Sequence, residues 1–180
     1  MKNICVFCGS ASGREGGGYM EQAQSFGRLL AKNKMSVVYG GASIGVMAAV
    51  ANSALEEGAE VYGVIPEFLK QIEIGHLGLT KLHIVETMHE RKQIMYDLSD
   101  AFVALPGGFG TLDELCEIMT WAQLKHHEKP CFILNENGFF DALLKHFDSL
   151  VTEGFLSAEH RKILTTYSTQ EELIEHLCGK

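Results

Sequence analysis

Two short stretches carry residue types that could do chemistry. One is Thr87-Met88-His89-Glu90-Arg91-Lys92, a T-x-x-E box followed at once by two cations. Such a box opens a helix, so Arg91 and Lys92 fall in a first turn, where positive charge opposes the helix dipole. Two cations there point to a bound anion that offsets the cost. The competing reading is a solvated pair reaching toward Glu90 or Asp97. The other stretch is Pro106-Gly107-Gly108-Phe109-Gly110-Thr111-Leu112-Asp113-Glu114. A glycine turn feeding a helix start holds phosphate through backbone N–H groups and the dipole. Yet this helix opens on Asp113 and Glu114, which repel phosphate. Thr111 and Glu114 have capping-box spacing, which would make Glu114 a structural group contributing on the order of 1 kcal/mol. A capping box does not require Pro-Gly-Gly-x-Gly before it. A cationic pair and a carboxylate at neighbouring strand ends instead suit cleavage of a phosphorylated sugar. The cations hold phosphate, while the carboxylate faces the anomeric carbon as positive charge develops there, or activates water.

The elements that must position these groups alternate along the chain. Strand-like runs at 3–8, 36–40, 60–65, 82–86, 101–105 and 131–135 are interleaved with helical stretches near 19–33, 45–57, 88–98, 111–126 and 139–152. A short basic segment and a helix over 170–178 close the chain. The pattern predicts one α/β domain over residues 1–180, Rossmann-like and doubly wound, with a mainly parallel sheet flanked by helices. Eleven of the 19 glycines fall in three clusters, Gly9 to Gly18, Gly40 to Gly45 and Gly107 to Gly110, each after a strand. Loops at the carboxyl ends of strands converge on one crevice in such sheets. No P-loop, no G-x-G-x-x-G and no acid at the end of the second strand occur, which excludes a P-loop NTPase and disfavours dinucleotide oxidoreduction. A mononucleotide is the better fit.

Bulk properties narrow the class. A chain of 180 residues buries roughly 70% of its unfolded surface as one domain. Its apolar runs fall short of the ~20 residues of a membrane span, and its start lacks a signal-peptide pattern, so a cytoplasmic protein without membrane partners is expected. A formal charge of −8 argues against nucleic acid as a partner. Five cysteines suggest reduced thiols. Cys5-Val6-Phe7-Cys8 formally reads C-x-x-C, but lies within a strand where positions three apart face opposite ways. The expectation is two buried small hydrophobes. His126 and His127 diverge at a helix end without a third ligand, so no metal is expected. Cys116 lies roughly 200° around its helix from Glu114 and is expected to pack.

"PGGFGTLDE", with "MHERK" upstream, resembles the Lonely Guy (LOG) family of nucleoside 5′-monophosphate phosphoribohydrolases, whose members often carry an older lysine decarboxylase label. The resemblance runs from "VFCGSASG" through "YGGASIGVM", "GVIP" and "LN..GFF" to "EGF". It implies a Rossmann-like homodimer that hydrolyses the N-glycosidic bond of AMP, or of N6-modified, cytokinin-type AMP, to free base and ribose 5-phosphate, with no cofactor. The family's essential arginine and glutamate fall on Arg91 and Glu114. Its nucleotide-binding positions fall on Ser10, Gly41, Glu73, Lys92, Gly108, Gly110, Thr111 and Thr120, and Gly107 joins them in the phosphate loop. The chain departs from the family's usual second glycine cluster at Ala42, Val46 and Ala48, and carries Lys125-His126 where Gly-Ile is common. These changes bear on the base pocket. The alternatives are a non-catalytic nucleotide carrier or sensor, which has no need of a carboxylate beside a phosphate loop, and a decarboxylase, which needs a lysine set to form a Schiff base.

Overall fold

The computed structural model describes residues 2–70, 72 and 75–179. Short apolar runs form strands β1 (Asn3–Phe7), β2 (Ser36–Tyr39), β3 (Val61–Pro66), β4 (Lys81–Val85), β5 (Ala101–Ala104) and β6 (Cys131–Leu134). Helices α1 (Tyr19–Lys32), α2 (Gly45–Glu56), α4 (Met88–Leu98), α5 (Phe109–Gln123) and α6 (Asp141–Thr152) cross between them, with one turn of helix, α3 (Glu67–Lys70), after β3. The chain closes with α7 (Ala158–Arg161), β7 (Leu164–Tyr167) and α8 (Gln170–Leu177). The seven strands are parallel in the order β4-β3-β2-β1-β5-β6-β7.

The inner strands β1, β2, β5 and β6 are buried almost throughout, as a sheet covered on both faces requires. Alternate residues serve two cores. Ile4, Val6 and Cys8 join Phe26 and Leu30 of α1, Val50 of α2 and Leu173 of α8. Cys5 and Phe7 join Met95 of α4 and Leu115 and Ile118 of α5 on the other face. Windings on the two sides of β1 run in opposite directions, so the crevice lies beyond the carboxyl ends of β1 and β5. No helix among the described residues is long and apolar enough to cross a membrane.

The fold is the one expected, with the one-turn helices α3 and α7 added and two further local differences. β7 falls in the stretch read from sequence as a basic segment; its four residues LTTY pair only with β6 and only Leu164 is fully buried, so they carry little apolar pattern. α5 starts at Phe109, two residues before the expected Thr111. α1 and α2 meet closely at Gly27, where a Cβ would collide with the Ser53 hydroxyl and lie 2.5 Å from the Val50 carbonyl oxygen. Ser53 itself is tied down by bonds to the carbonyls of Ala49 (2.8 Å) and Val50 (3.1 Å). Gly27→Ala is therefore expected to destabilise by about 1–3 kcal/mol through overpacking, despite alanine's better helix propensity. Urea unfolding should show a lower midpoint at unchanged slope.

Candidate active site

Backbone hydrogen bonds lace the three glycine clusters together. Gly9 N–H donates to the Pro106 carbonyl (3.1 Å), joining the loops after β1 and β5. Met47 N–H donates to Gly9 (3.1 Å) and Val46 N–H to Ala11 (3.3 Å), joining the start of α2 to the same loop. A Cβ on Gly45 would strike the Ser10 carbonyl, and one on Gly107 would strike the Thr111 hydroxyl. Glycine is needed at both for the loops to meet. Beside them lies a cavity of about 220 Å³, lined among others by Ser10, Gly13, Tyr19, Gly107, Gly108 and Phe139.

The helix starts at this crevice differ in how their N–H groups are used. Those of α2 are taken by the carbonyls of Gly9 and Ala11. α4 is closed by the expected box: Thr87 Oγ1 accepts from Glu90 N–H (3.1 Å), and Glu90 Oε2 accepts from Thr87 N–H (3.3 Å). α5 is left open. Its N-cap is Gly108, no side chain caps it, and its first turn holds no acidic residue. The Thr111–Glu114 capping box is thus not formed, because the helix begins two residues early and Thr111 is already inside it. Thr111 is only 3% exposed, and among the described residues its hydroxyl oxygen has no hydrogen-bond partner. An uncapped start with a buried hydroxyl beside it is suited to an anion.

Glu114 lies one turn further along α5, also buried. Its carboxylate is 3.7 Å from Nη2 of Arg91, which is 5% exposed. Arg91 is held by backbone: Nε donates to the Val64 carbonyl (3.1 Å) and Nη2 to that of Gly40 (3.3 Å). A Cβ on Gly40 would fall on Nη2, so glycine there makes room for the guanidinium. Lys92 lies against α5, its Nζ 3.0 Å from Glu117 and 3.2 Å from Asp113. Burial works against its charge, but the bonds to Glu117 and Asp113 outweigh that and raise its pKa. The negative charge expected from a bound anion, or from Glu90 and Asp97, is supplied by three carboxylates of α5.

Residues 47–177 match the family model described as "Possible lysine decarboxylase". The chain is 47% identical to the cytokinin riboside 5′-monophosphate phosphoribohydrolase of Rhodococcoides fascians, over 89% of this chain and 81% of that one. It is 43% identical to the rice (Oryza sativa subsp. japonica) enzyme of the same name, LOG, over 96% of this chain and 71% of that one. The chain belongs to the LOG family. The solved structure of a molybdenum cofactor binding protein from Rippkaea orientalis shares the fold (TM-score 0.72, 20% identity, covering 99% and 97% of the two chains).

The other LOG-family positions divide. Ser10, Gly107, Gly108 and Thr111 come together at the cavity and the start of α5. Gly110 lies in the first turn of α5, and a Cβ on it or on Gly108 would meet nothing within 4 Å. Gly41 sits apart from that cavity's lining, at φ +78°, packed against Ile65, Val64 and Leu82. Thr120 is exposed, bonded to the Cys116 carbonyl (2.7 Å) and about 13 Å along α5 from Thr111. It lines a separate groove with Cys116, Leu150 and Leu156. Glu73 lies outside the described residues. Sequence reasoning missed Gly40, which admits Arg91; Glu117, four residues from Asp113 on the same helical face; and Tyr19 and Phe139, which wall the cavity. Gly40 and Glu117 had a readable signal, the doubled glycine after β2 and the i, i+4 acid pair.

The remaining candidates have structural roles. His127 accepts from Lys129 N–H at Nδ1 (3.0 Å), so its Nε2–H donates to the Ile118 carbonyl (3.0 Å). Cys5 and Cys8 point into opposite cores, and burial, then the charge of Glu114, raises both thiols well above their ordinary range. Burial pushes Cys131 up to about 12. Alkylation of the native protein at pH 8 is expected to modify the exposed Cys178; mass spectrometry should find Cys5, Cys8 and Cys131 labelled only after unfolding.

Proposed function

We propose that this chain is a nucleoside 5′-monophosphate phosphoribohydrolase, hydrolysing the N-glycosidic bond of AMP or N6-modified, cytokinin-type AMP to free base and ribose 5-phosphate. The observation that carries the reading is that Glu114 does not cap its helix. It stands buried, one turn from an open anion-binding helix start, with Arg91 beside it. The two ends of a ribose 5-phosphate are thereby provided for on consecutive turns of one helix.

In this reading the open N–H groups of α5 and the Thr111 hydroxyl bind the 5′-phosphate. Glu114 faces the anomeric carbon, where positive charge develops as the base departs and water attacks. Arg91 orients Glu114 from a bed of two carbonyls, and Lys92 braces α4 against α5 through Asp113 and Glu117. The binding role carried by Thr120 requires a homodimer, because Thr120 lies too far along α5 to meet its own chain's loop; the apolar groove around it supports such a contact. A Schiff-base decarboxylase is not favoured by the lysines. Lys92 is ion-paired with a raised pKa, and Lys129, lowered by burial, donates to the Tyr96 carbonyl just before β6, at the end of the sheet away from the crevice.

Chromatography should detect free base from AMP or isopentenyl-AMP with the wild-type chain and no added metal. Glu114→Gln is expected to lower kcat by about 10²–10⁴-fold while ribose 5-phosphate still binds. Binding of nucleotide by the wild type without cleavage would instead favour a carrier. Gly40→Ala, which pushes on Arg91 without touching Glu114, is expected to keep the fold by circular dichroism yet reduce kcat by roughly 10²-fold.

A further inference from the structure

The site as built holds more negative than positive charge. Arg91 and Lys92 face Glu114, Asp113 and Glu117. Two cations against three carboxylates leave a phosphate, with about −1.5 to −2 charges of its own, only the partial charge of the α5 start. A further cation is needed, and it must reach the cavity from one of the loops around it. The loops after β2 (residues 40–44), β5 (105–108) and β6 (135–140) contain neither lysine nor arginine, and Lys70, in the stretch after β3, is paired with Glu67 (3.6 Å). The loop after β1 (8–18) contains one, Arg14.

Arg14 directly follows Gly13, which lines the cavity. Ser10 and Gly13 line the cavity opposite Gly107 and Gly108. Gly17 N–H donates to the Arg14 carbonyl (3.1 Å), closing a tight turn, and Gly13, Gly16 and Gly18 have φ of +76°, +71° and +68°, which favour glycine. The Tyr19 ring lies under the turn, so that a Cβ on Gly13 or Gly17 would strike it. Arg14 is exposed and, among the described residues, its guanidinium has no ion pair or hydrogen bond. Arg91 and Lys92, by contrast, are both engaged by protein.

We propose that Arg14 is a substrate-binding residue that closes over the 5′-phosphate from the glycine-rich loop after β1, pairing its planar fork with phosphate oxygens opposite the start of α5. The proposal rests on the phosphoribohydrolase reading. Each cation then has a separate role, with Arg91 serving the carboxylate, Lys92 the helix pair and Arg14 the ligand. Affinity, rather than bond breaking, becomes the property that Arg14 controls.

The test compares wild type, Arg14→Gln and Arg14→Lys by turnover of AMP and isopentenyl-AMP and by calorimetric titration with ribose 5-phosphate. For Arg14→Gln, KM and the Kd for ribose 5-phosphate should each rise at least tenfold while kcat stays within twofold. Arg14→Lys should recover part of the affinity, and the salt dependence of binding should be shallower in Arg14→Gln than in wild type. Wild-type turnover with an unchanged KM and Kd in Arg14→Gln would overturn the role of Arg14 alone. A wild-type chain that neither cleaves these nucleotides nor binds ribose 5-phosphate would overturn the reading beneath it, and Arg14's role with it.

Discussion

A buried guanidinium is the constraint on which the rest of the site depends. Arg91 is removed from water, and a charge so placed is stable only if its hydrogen bonds and a counter-charge are supplied by protein. Supplying them engages four parts of the chain at once: Gly40 beyond the end of β2, Val64 on β3, Arg91's own α4, and Glu114 on α5. Residue 40 must lack a Cβ. The carboxylate is in turn fixed at the crevice by the arginine it neutralises, so the contact that satisfies the buried charge also sets where Glu114 stands.

The second organising feature is how the helix starts are used. Several helices present N-termini around the crevice, and each end has N–H groups without intrahelical partners. Loop carbonyls close α2 and a side-chain box closes α4, whereas the starts of α1 and α5 have no side-chain cap. Asp113 and Glu114 lie just beyond the first turn of α5, where the dipole has largely decayed, and they turn toward α4 rather than toward the open end.

Membership of the LOG family and the fold agree with this chemistry without repeating it. The family match brings a reaction class; the geometry sorts the positions expected from sequence by where each one lies. Gly107 makes room for the Thr111 hydroxyl, Gly41 is a packing residue in a left-handed turn, and Thr120 lies on another face of the helix. The expected positions therefore include loop-forming, packing and more distant residues.

Much of this was legible in the residues alone. Apolar runs alternating with amphipathic stretches specified a parallel sheet wrapped on both faces, because strands buried on both sides leave a continuous hydrophobic signal. The Thr87 box was readable because both partners lie within one turn, and the three glycine clusters marked the crevice because each followed a strand. β7 was not readable, since an edge strand with one neighbour needs little apolar pattern. Nor was the outcome of the two T-x-x-E boxes: identical spacing forms a cap at Thr87 and none at Thr111, where packing of the glycine loop against the β1 loop starts the helix two residues sooner. The cations carried the same ambiguity. Sequence by itself determined the fold, the crevice and the presence of Arg91, Lys92 and Glu114 near it. Only the tertiary structure decided which carboxylate faces which cation, because those partners lie 20 or more residues apart and meet only when α4 and α5 pack on one face of the sheet.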